Sequence, residues 1–97
     1  MATYILLINF TEQGIRNVKD SPDRSDQLNA TAAKMGITIK DIFWTSGVHD
    51  GVLIFESVDD ERAAALSLHL GSLGNVRTTS LRAFNKPEIE SIIAKLP

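Results

Sequence analysis

Two predicted strands have hydrophobic side chains on both faces, and this pattern constrains the fold more than any other feature. The first run covers residues 4–10 and reads YILLINF, and the second covers residues 52–55 and reads VLIF. A sheet that helices cover on one side only normally alternates hydrophobic and polar residues. We therefore expect a second copy of the chain to cover the other face, giving a homodimer or higher oligomer in which two sheets pack face to face. The alternative is that these strands merely hold extra β-branched residues, which favour strands whether buried or not.

Capping residues predict where the helices begin and end. Thr11 is expected to cap a short turn, and Ser21 is expected to be the N-cap of a longer helix with Pro22 in its first position. Gly36 is expected to end that helix, and Asp59 to cap the next one. The predicted buried faces are Leu28, Ala32 and Met35 on the first long helix, and Ala63, Leu66, Leu70 and Leu73 on the second.

The remaining strands complete a recognisable order of elements. A second strand is expected within residues 37–46, with a bulge near Lys40 and Asp41, and a turn-like cluster at 47–51 makes it a hairpin with the third. Residues 76–84 form a fourth strand, and Lys86-Pro87 opens a last helix. This order predicts an α+β, ferredoxin-like βαββαβ fold plus a C-terminal helix, with helices on one face of a four-stranded antiparallel sheet. The length predicts one domain over residues 1–97.

Composition excludes several classes of function. The net charge of -2 provides no basic surface for nucleic acid, and the absence of cysteine excludes disulfides, a thiol nucleophile and thiolate metal sites. No basic leader opens the chain, and no hydrophobic run reaches the 18 or so residues that a membrane span requires. We expect a cytoplasmic protein that binds neither nucleic acid nor membrane.

The two histidines do not form a metal-binding pattern. His49 and His69 have no metal-ligand spacing between them, so neither a metal nor any other cofactor is predicted. His49 lies beside Asp50 at the hairpin, and such a pair could perform acid–base chemistry near neutral pH. The structural interpretation is favoured, because an aspartate in a turn usually bonds backbone and a turn histidine is usually solvated.

Five residues are the candidates for ligand binding. Trp44 is more often a packing anchor than a binding platform, and a Glu56–Arg82 pair would more often be structural than functional. Those two residues lie on different strands, so the sequence leaves open whether they meet. The candidate ligand-binding residues are Trp44, His49, Asp50, Glu56 and Arg82.

Several of these segments resemble the GYD domain family. The family's Gly-Tyr-Asp motif at the hairpin is matched by Gly47, His49 and Asp50, with histidine in place of tyrosine. The resemblance implies a ferredoxin-like, dimeric α+β barrel, and it carries over no catalytic residue. For Gly47 and Asp50 the resemblance implies structural roles only: Gly47 allows an unusual backbone angle, and Asp50 caps the turn. The other similar segments are Phe10–Asn17, Trp44–Gly47, Gly71–Thr78 and Leu81–Phe84.

Three functions are consistent with this sequence. The first is a small oligomeric module that binds a small organic ligand between its sheet and its helices, because such sites are largely hydrophobic. The second is an enzyme, since dimeric α+β barrels resemble cofactor-free monooxygenases and heme-degrading enzymes; the latter use an asparagine, a tryptophan and a histidine, matched in type only by Asn9, Trp44 and His69. The third is a structural or regulatory oligomer that acts through partners. The absence of a convincing catalytic set favours a non-enzyme.

Overall fold

A computed structural model describes residues 1–97 as four strands and four α-helices. The strands lie in one sheet in the order β2-β3-β1-β4, and every neighbouring pair is antiparallel. The predicted α+β fold with a four-stranded antiparallel sheet is confirmed. The elements are β1 (Ala2–Phe10), α1 (Glu12–Arg16), α2 (Ser21–Lys34), β2 (Thr38–Trp44), β3 (Gly51–Ser57), α3 (Asp60–Ser72), β4 (Val76–Ala83) and α4 (Lys86–Ile93), with a 3-10 turn at Val18–Asp20.

One face of the sheet packs against α2 and α3. Leu6, Leu53 and Phe55 are fully buried there, and the ring of Tyr4 stacks on that of Phe55 with centroids 5.3 Å apart. The helices contribute Ala32, Ala63 and Leu66 to the same cluster. Leu28, Met35 and Leu70 pack around it as predicted, but Leu73 is 53% exposed and does not belong to the buried stripe. The reason is that α3 ends at Ser72, so Leu73 follows the helix as its C-cap.

Side-chain caps fix the helix starts. Thr11 accepts a hydrogen bond from the Gly14 N–H and Asp59 accepts one from the Arg62 N–H, as predicted. Gly36 has the positive φ of 72° expected after α2. The predicted N-cap role of Ser21 is wrong, because Ser21 already has helical backbone angles and Asp20 precedes it as a cap without a side-chain bond.

The other face of the sheet is left open by the chain. Two cross-strand rows form its centre, one joining Ile54, Ile5 and Leu81 and the other joining Phe43, Val52 and Leu7. Phe43 is 53% exposed and Leu81 is 43% exposed, whereas the four residues of the central strands are half-buried. We call this surface the open sheet face. Its hydrophobic character follows directly from strands that are hydrophobic on both sides.

The edge strand β2 is irregular. Its pairing with β3 shifts register between Ile39 and Asp41, which confirms the predicted bulge. Because of the bulge, Ile39 and Ile42 both pack towards the buried core although they are three positions apart. None of the helices is both long and apolar enough to cross a membrane.

Candidate functional site

A cleft of about 450 Å³ lies between α2, α3 and one end of the sheet. Half of its 18 lining residues are hydrophobic, and the rest are mainly residues with hydroxyl, amide or charged side chains. Its size falls in the range of small-molecule sites, and its mixture of lining residues is also typical of them. The hydrophobic walls include Ile8, Phe10, Leu28, Ile42, Leu70 and Val76.

Trp44 joins the end of β2 to the start of α2 across this cleft. Its indole N–H donates a 2.8 Å hydrogen bond to the hydroxyl oxygen of Ser21. The side chain is 48% exposed, so one part of the ring is held while the rest lines the cleft. Ser21, the residue predicted to cap α2, thus uses its hydroxyl to anchor a tryptophan.

Asp50 holds the hairpin against the end of β1. Its carboxylate accepts a 2.8 Å hydrogen bond from the Phe10 N–H, and its own N–H donates to the Ile8 carbonyl oxygen at 2.8 Å. Asp50 therefore satisfies backbone of a neighbouring strand rather than capping its own turn. It also borders the cleft. The φ of 140° at Gly47 is the unusual backbone angle expected of that glycine.

His49 is tied to the same end of β1 but is absent from the cleft wall. Its Nδ1 lies 2.9 Å from the Asn9 side-chain oxygen, and the Asn9 amide donates to the Val48 carbonyl oxygen at 2.7 Å. The turn histidine is therefore half-buried and hydrogen-bonded, where a solvated one was expected. Of the asparagine, tryptophan and histidine considered for heme chemistry, Trp44 and His69 line the cleft and Asn9 does not.

Glu56 and Arg82 lie on opposite faces of the sheet and do not meet. Glu56 is on the open sheet face and forms an ion pair with Lys40 at 3.3 Å. Arg82 is on the helix face, next to Tyr4 in register, and forms an ion pair with Glu88 at 3.6 Å. Neither lines the cleft, so the structure brings together only Trp44 and Asp50 of the five candidate residues.

Tyr4 forms a separate cluster beyond the cleft. Its hydroxyl donates to the carboxylate of Asp60, and the Arg82 guanidinium carbon lies 5.6 Å from the centre of its ring. The hydrogen bond to Asp60, with burial as the second cause, raises the pKa of the Tyr4 phenol above its ordinary value. The cluster fixes the start of α3 to β1, which is a structural role.

The comparison with known families identifies the chain. A sequence profile of the GYD domain matches residues 4–93, almost its whole length. The chain belongs to the GYD domain family. The resemblance read from the hairpin and its neighbouring segments is thereby confirmed.

Two proteins similar to this GYD domain come from Thermus thermophilus. One is named a glutamine synthetase and cystathionine beta-lyase binding protein; it is 29% identical over 97 residues, covering 99% of each chain. The other is the crystal structure of TTHA0845, which covers 88% of this chain and 95% of its own with a TM-score of 0.55. At 22% identity that structure supports the fold alone.

The segments that resemble the GYD family meet at one end of the sheet. Thr11 donates its N–H to the Asn75 carbonyl oxygen at 3.1 Å and its hydroxyl to the Gly74 carbonyl oxygen at 2.5 Å. Gly14 lies so close to Asn75 that an added Cβ would be 1.8 Å from its carbonyl oxygen. The Asp50 carboxylate lies at the same end of the sheet, where it accepts the hydrogen bond from the Phe10 N–H. Each of these three segments contributes a residue to the cleft lining, namely Phe10, Asp50 and Asn75.

Sequence reasoning missed the contribution of α2 to the cleft. Ser21, Arg24, Leu28 and Thr31 all line it, and their spacing of three or four residues places them on one face of the helix. Among these residues the sequence predicts a role only for Leu28, on the buried face with Ala32 and Met35, and for Ser21, as the N-cap. A polar face interrupted by Leu28 gives no signal that distinguishes a cleft wall from a solvated surface.

Proposed function

We propose that this GYD domain is a small-ligand-binding module, and that its working form is a dimer in which two ferredoxin-like sheets pack face to face as an α+β barrel. The observation that supports ligand binding is the cleft of about 450 Å³, whose lining is half hydrophobic and half polar or charged. Its ligand is an organic molecule with an apolar body. Trp44 and Asp50 are the sequence-predicted residues that border it.

Ligand binding is tested with the fluorescence of Trp44, the only tryptophan of the chain. A panel of small organic molecules should contain compounds that change this fluorescence and also raise the melting temperature, because a ligand bound only by the folded state stabilises it. Ser25→Phe places a large side chain on the cleft wall and should abolish both effects. Ala30→Phe, at an exposed position of the same helix, is the matched control and should leave them intact. A broad panel without any stabilising compound would contradict the proposed function.

The dimer is supported by the open sheet face. Ile5 lies directly between Ile54 and Leu81 in register, so one hydrophobic row crosses three strands. A hydrophobic surface of this extent on a small domain is typical of a protein interface. A second copy of the chain offers the same surface, which is the self-complementary arrangement of a two-fold dimer.

The dimer is tested by light scattering on charge-introducing variants. Ile54→Lys puts an unpaired charge at the centre of the open sheet face and should give monomers or unfolded chains. Leu7→Lys should behave in the same way. Leu68→Lys is the control, because Leu68 lies on α3 and is already 74% exposed. If Ile54→Lys and Leu7→Lys both remain native oligomers, the proposed interface is wrong.

A second candidate function is the regulation of other proteins by binding them. The relative from Thermus thermophilus, which matches this chain end to end, is named for binding glutamine synthetase and cystathionine beta-lyase. The test is to measure the association of the purified chain with these two enzymes by biolayer interferometry, with and without a cleft ligand. Binding to either enzyme would support this function, and absence of binding to both would reject it for these partners.

A further inference from the structure

Arg24 provides the cleft with a positive charge that has no counterion. It is the only lysine or arginine among the lining residues. The five ion pairs of the chain involve Arg16, Lys40, Arg62, Arg82 and Lys86, and none involves Arg24. The acidic residue on the cleft wall is Asp50, and it already accepts a hydrogen bond from the Phe10 backbone.

The guanidinium of Arg24 is only partly satisfied. Nη1 donates to the Asn17 carbonyl oxygen at 2.9 Å, which holds the group near the start of α2. Nη2 is buried and has no hydrogen-bond partner. A buried charged donor without a partner is costly, by more than a neutral one would be. In this conformation Nη2 is closed off from the cleft, so a ligand would meet it only after the Arg24 side chain turns toward the cleft that it lines.

One neighbouring group favours an anion at this end of the cleft. Ser21 accepts from Trp44 through its oxygen, and its hydroxyl proton is still available as a donor. The backbone at the start of α2 adds little, because the Ser21 N–H already donates to the Val18 carbonyl oxygen, Pro22 has no N–H, and Asp23 places a negative charge in the first turn. The positive charge and the donor therefore come from the side chains of Arg24 and Ser21.

We propose that the cleft binds a small monocarboxylate, with its carboxylate on Arg24 beside Ser21 and its apolar body against Leu28, Ile8 and Leu70. The inference rests on the proposed ligand-binding function of the cleft. A carboxylate matches the planar guanidinium, which can donate two parallel hydrogen bonds to it. A phosphate monoester is disfavoured, because its second negative charge has no further lysine or arginine on the cleft wall to balance it.

The test compares probes with an apolar body and a head group that is an anionic carboxylate, a neutral amide or a phosphate dianion. Hydrocinnamate and octanoate are each titrated against the corresponding amide, and phenethyl phosphate serves as the dianion, with Trp44 fluorescence and calorimetry as readouts. The wild-type protein should bind the carboxylates about tenfold or more tightly than the amides, as expected for a charge-assisted hydrogen bond. Arg24→Gln should remove this preference. Arg16→Gln, at a side chain that is 72% exposed, should retain it.

A third variant separates the effect of the positive charge from that of the planar guanidinium. Arg24→Lys keeps the positive charge without the planar pair of donors, so it should retain part of the preference for carboxylates. Circular dichroism establishes that each variant is folded before binding is measured.

The outcomes distinguish this inference from the function on which it rests. Equal binding of acids and amides, a preference that survives in Arg24→Gln, or tighter binding of the phosphate overturns the carboxylate assignment and leaves a ligand-binding cleft. The assignment also fails if only compounds without a carboxylate bind. If neither these probes nor the broad panel binds, the proposed function fails together with it.

Discussion

The close approach of α1 to the turn before β4 gives a sharp prediction at Gly14. Gly14 is buried, and replacing it with alanine would place a Cβ 1.8 Å from the carbonyl oxygen and 2.8 Å from the carbonyl carbon of Asn75. Both atoms are backbone, so no side chain can rotate away to relieve the clash. Overpacking typically costs about 1–3 kcal/mol, and we expect Gly14→Ala to lie at the upper end of that range.

The expected loss is large enough for a simple assay. For a domain of this size, each kcal/mol corresponds to about 4–8 °C, so about 3 kcal/mol lowers the melting temperature by about 12–24 °C. Thermal and urea denaturation followed by circular dichroism would measure it. The same variant should weaken ligand binding in the cleft, because Asn75 lines the cleft and must move.

Gly71→Ala is the matched control for this variant. Gly71 lies in α3, and the nearest atom to its added Cβ is the flexible end of Arg77 at 3.6 Å. Alanine is favoured over glycine within a helix by about 0.5–1 kcal/mol, so this change should stabilise the protein slightly. The reasoning is refuted if Gly14→Ala melts within a few degrees of the wild type, or if both variants lose stability equally.

Three further predictions concern single hydrogen bonds. Because the pKa of Tyr4 is raised in the folded chain, the unfolded chain loses its phenolic proton first as pH rises, and the free energy of unfolding should fall above about pH 10. Ultraviolet titration of this single tyrosine measures the pKa. A pKa at or below the ordinary value would contradict the prediction. Ser21→Ala should cost about 1 kcal/mol and increase iodide quenching of Trp44, whereas unchanged quenching would show that the bond does not hold the indole. Asp50→Ala should lower the free energy of unfolding by about 1.5–3 kcal/mol, because it leaves the Phe10 N–H unpaired, and Asp50→Asn should lower it by less. Urea denaturation measures both variants, and an Asp50→Ala variant as stable as the wild type would show that this hydrogen bond contributes nothing.

Features of the fold that depend on nearby residues could be predicted from the sequence. Thr11 and Asp59 each cap a helix by accepting the N–H three residues further along the chain, and Gly36 ends α2, because each role depends only on local backbone geometry. Ser21 has the same local pattern, but its hydroxyl is used by Trp44, which lies 23 residues away in the sequence. Local reasoning cannot anticipate such a distant partner.

The candidate site was harder to predict for the same reason. Of the candidate ligand-binding residues, Trp44 and Asp50 line the cleft, whereas the positions of Glu56 and Arg82 depend on which face of the sheet each strand presents. Arg24 gave no signal at all, because an unpartnered guanidinium nitrogen is a property of the folded chain. Charged residues on a helix are ordinarily read as solvated surface.

The bulge in β2 limits how copies of this chain can associate through one of the two edges of the sheet, the other edge being β4. An outer strand with regular backbone can recruit another strand along its edge, and each addition creates a new edge, so growth has no end. Here the register shift at Ile39 and Asp41 disrupts that template, and the ion pair of Lys40 with Glu56 adds charge beside it. In the proposed dimer, association through the open sheet face would use up the surface that drives it. The irregular edge therefore favours an assembly that stops at a fixed number of chains over one that polymerises into fibres.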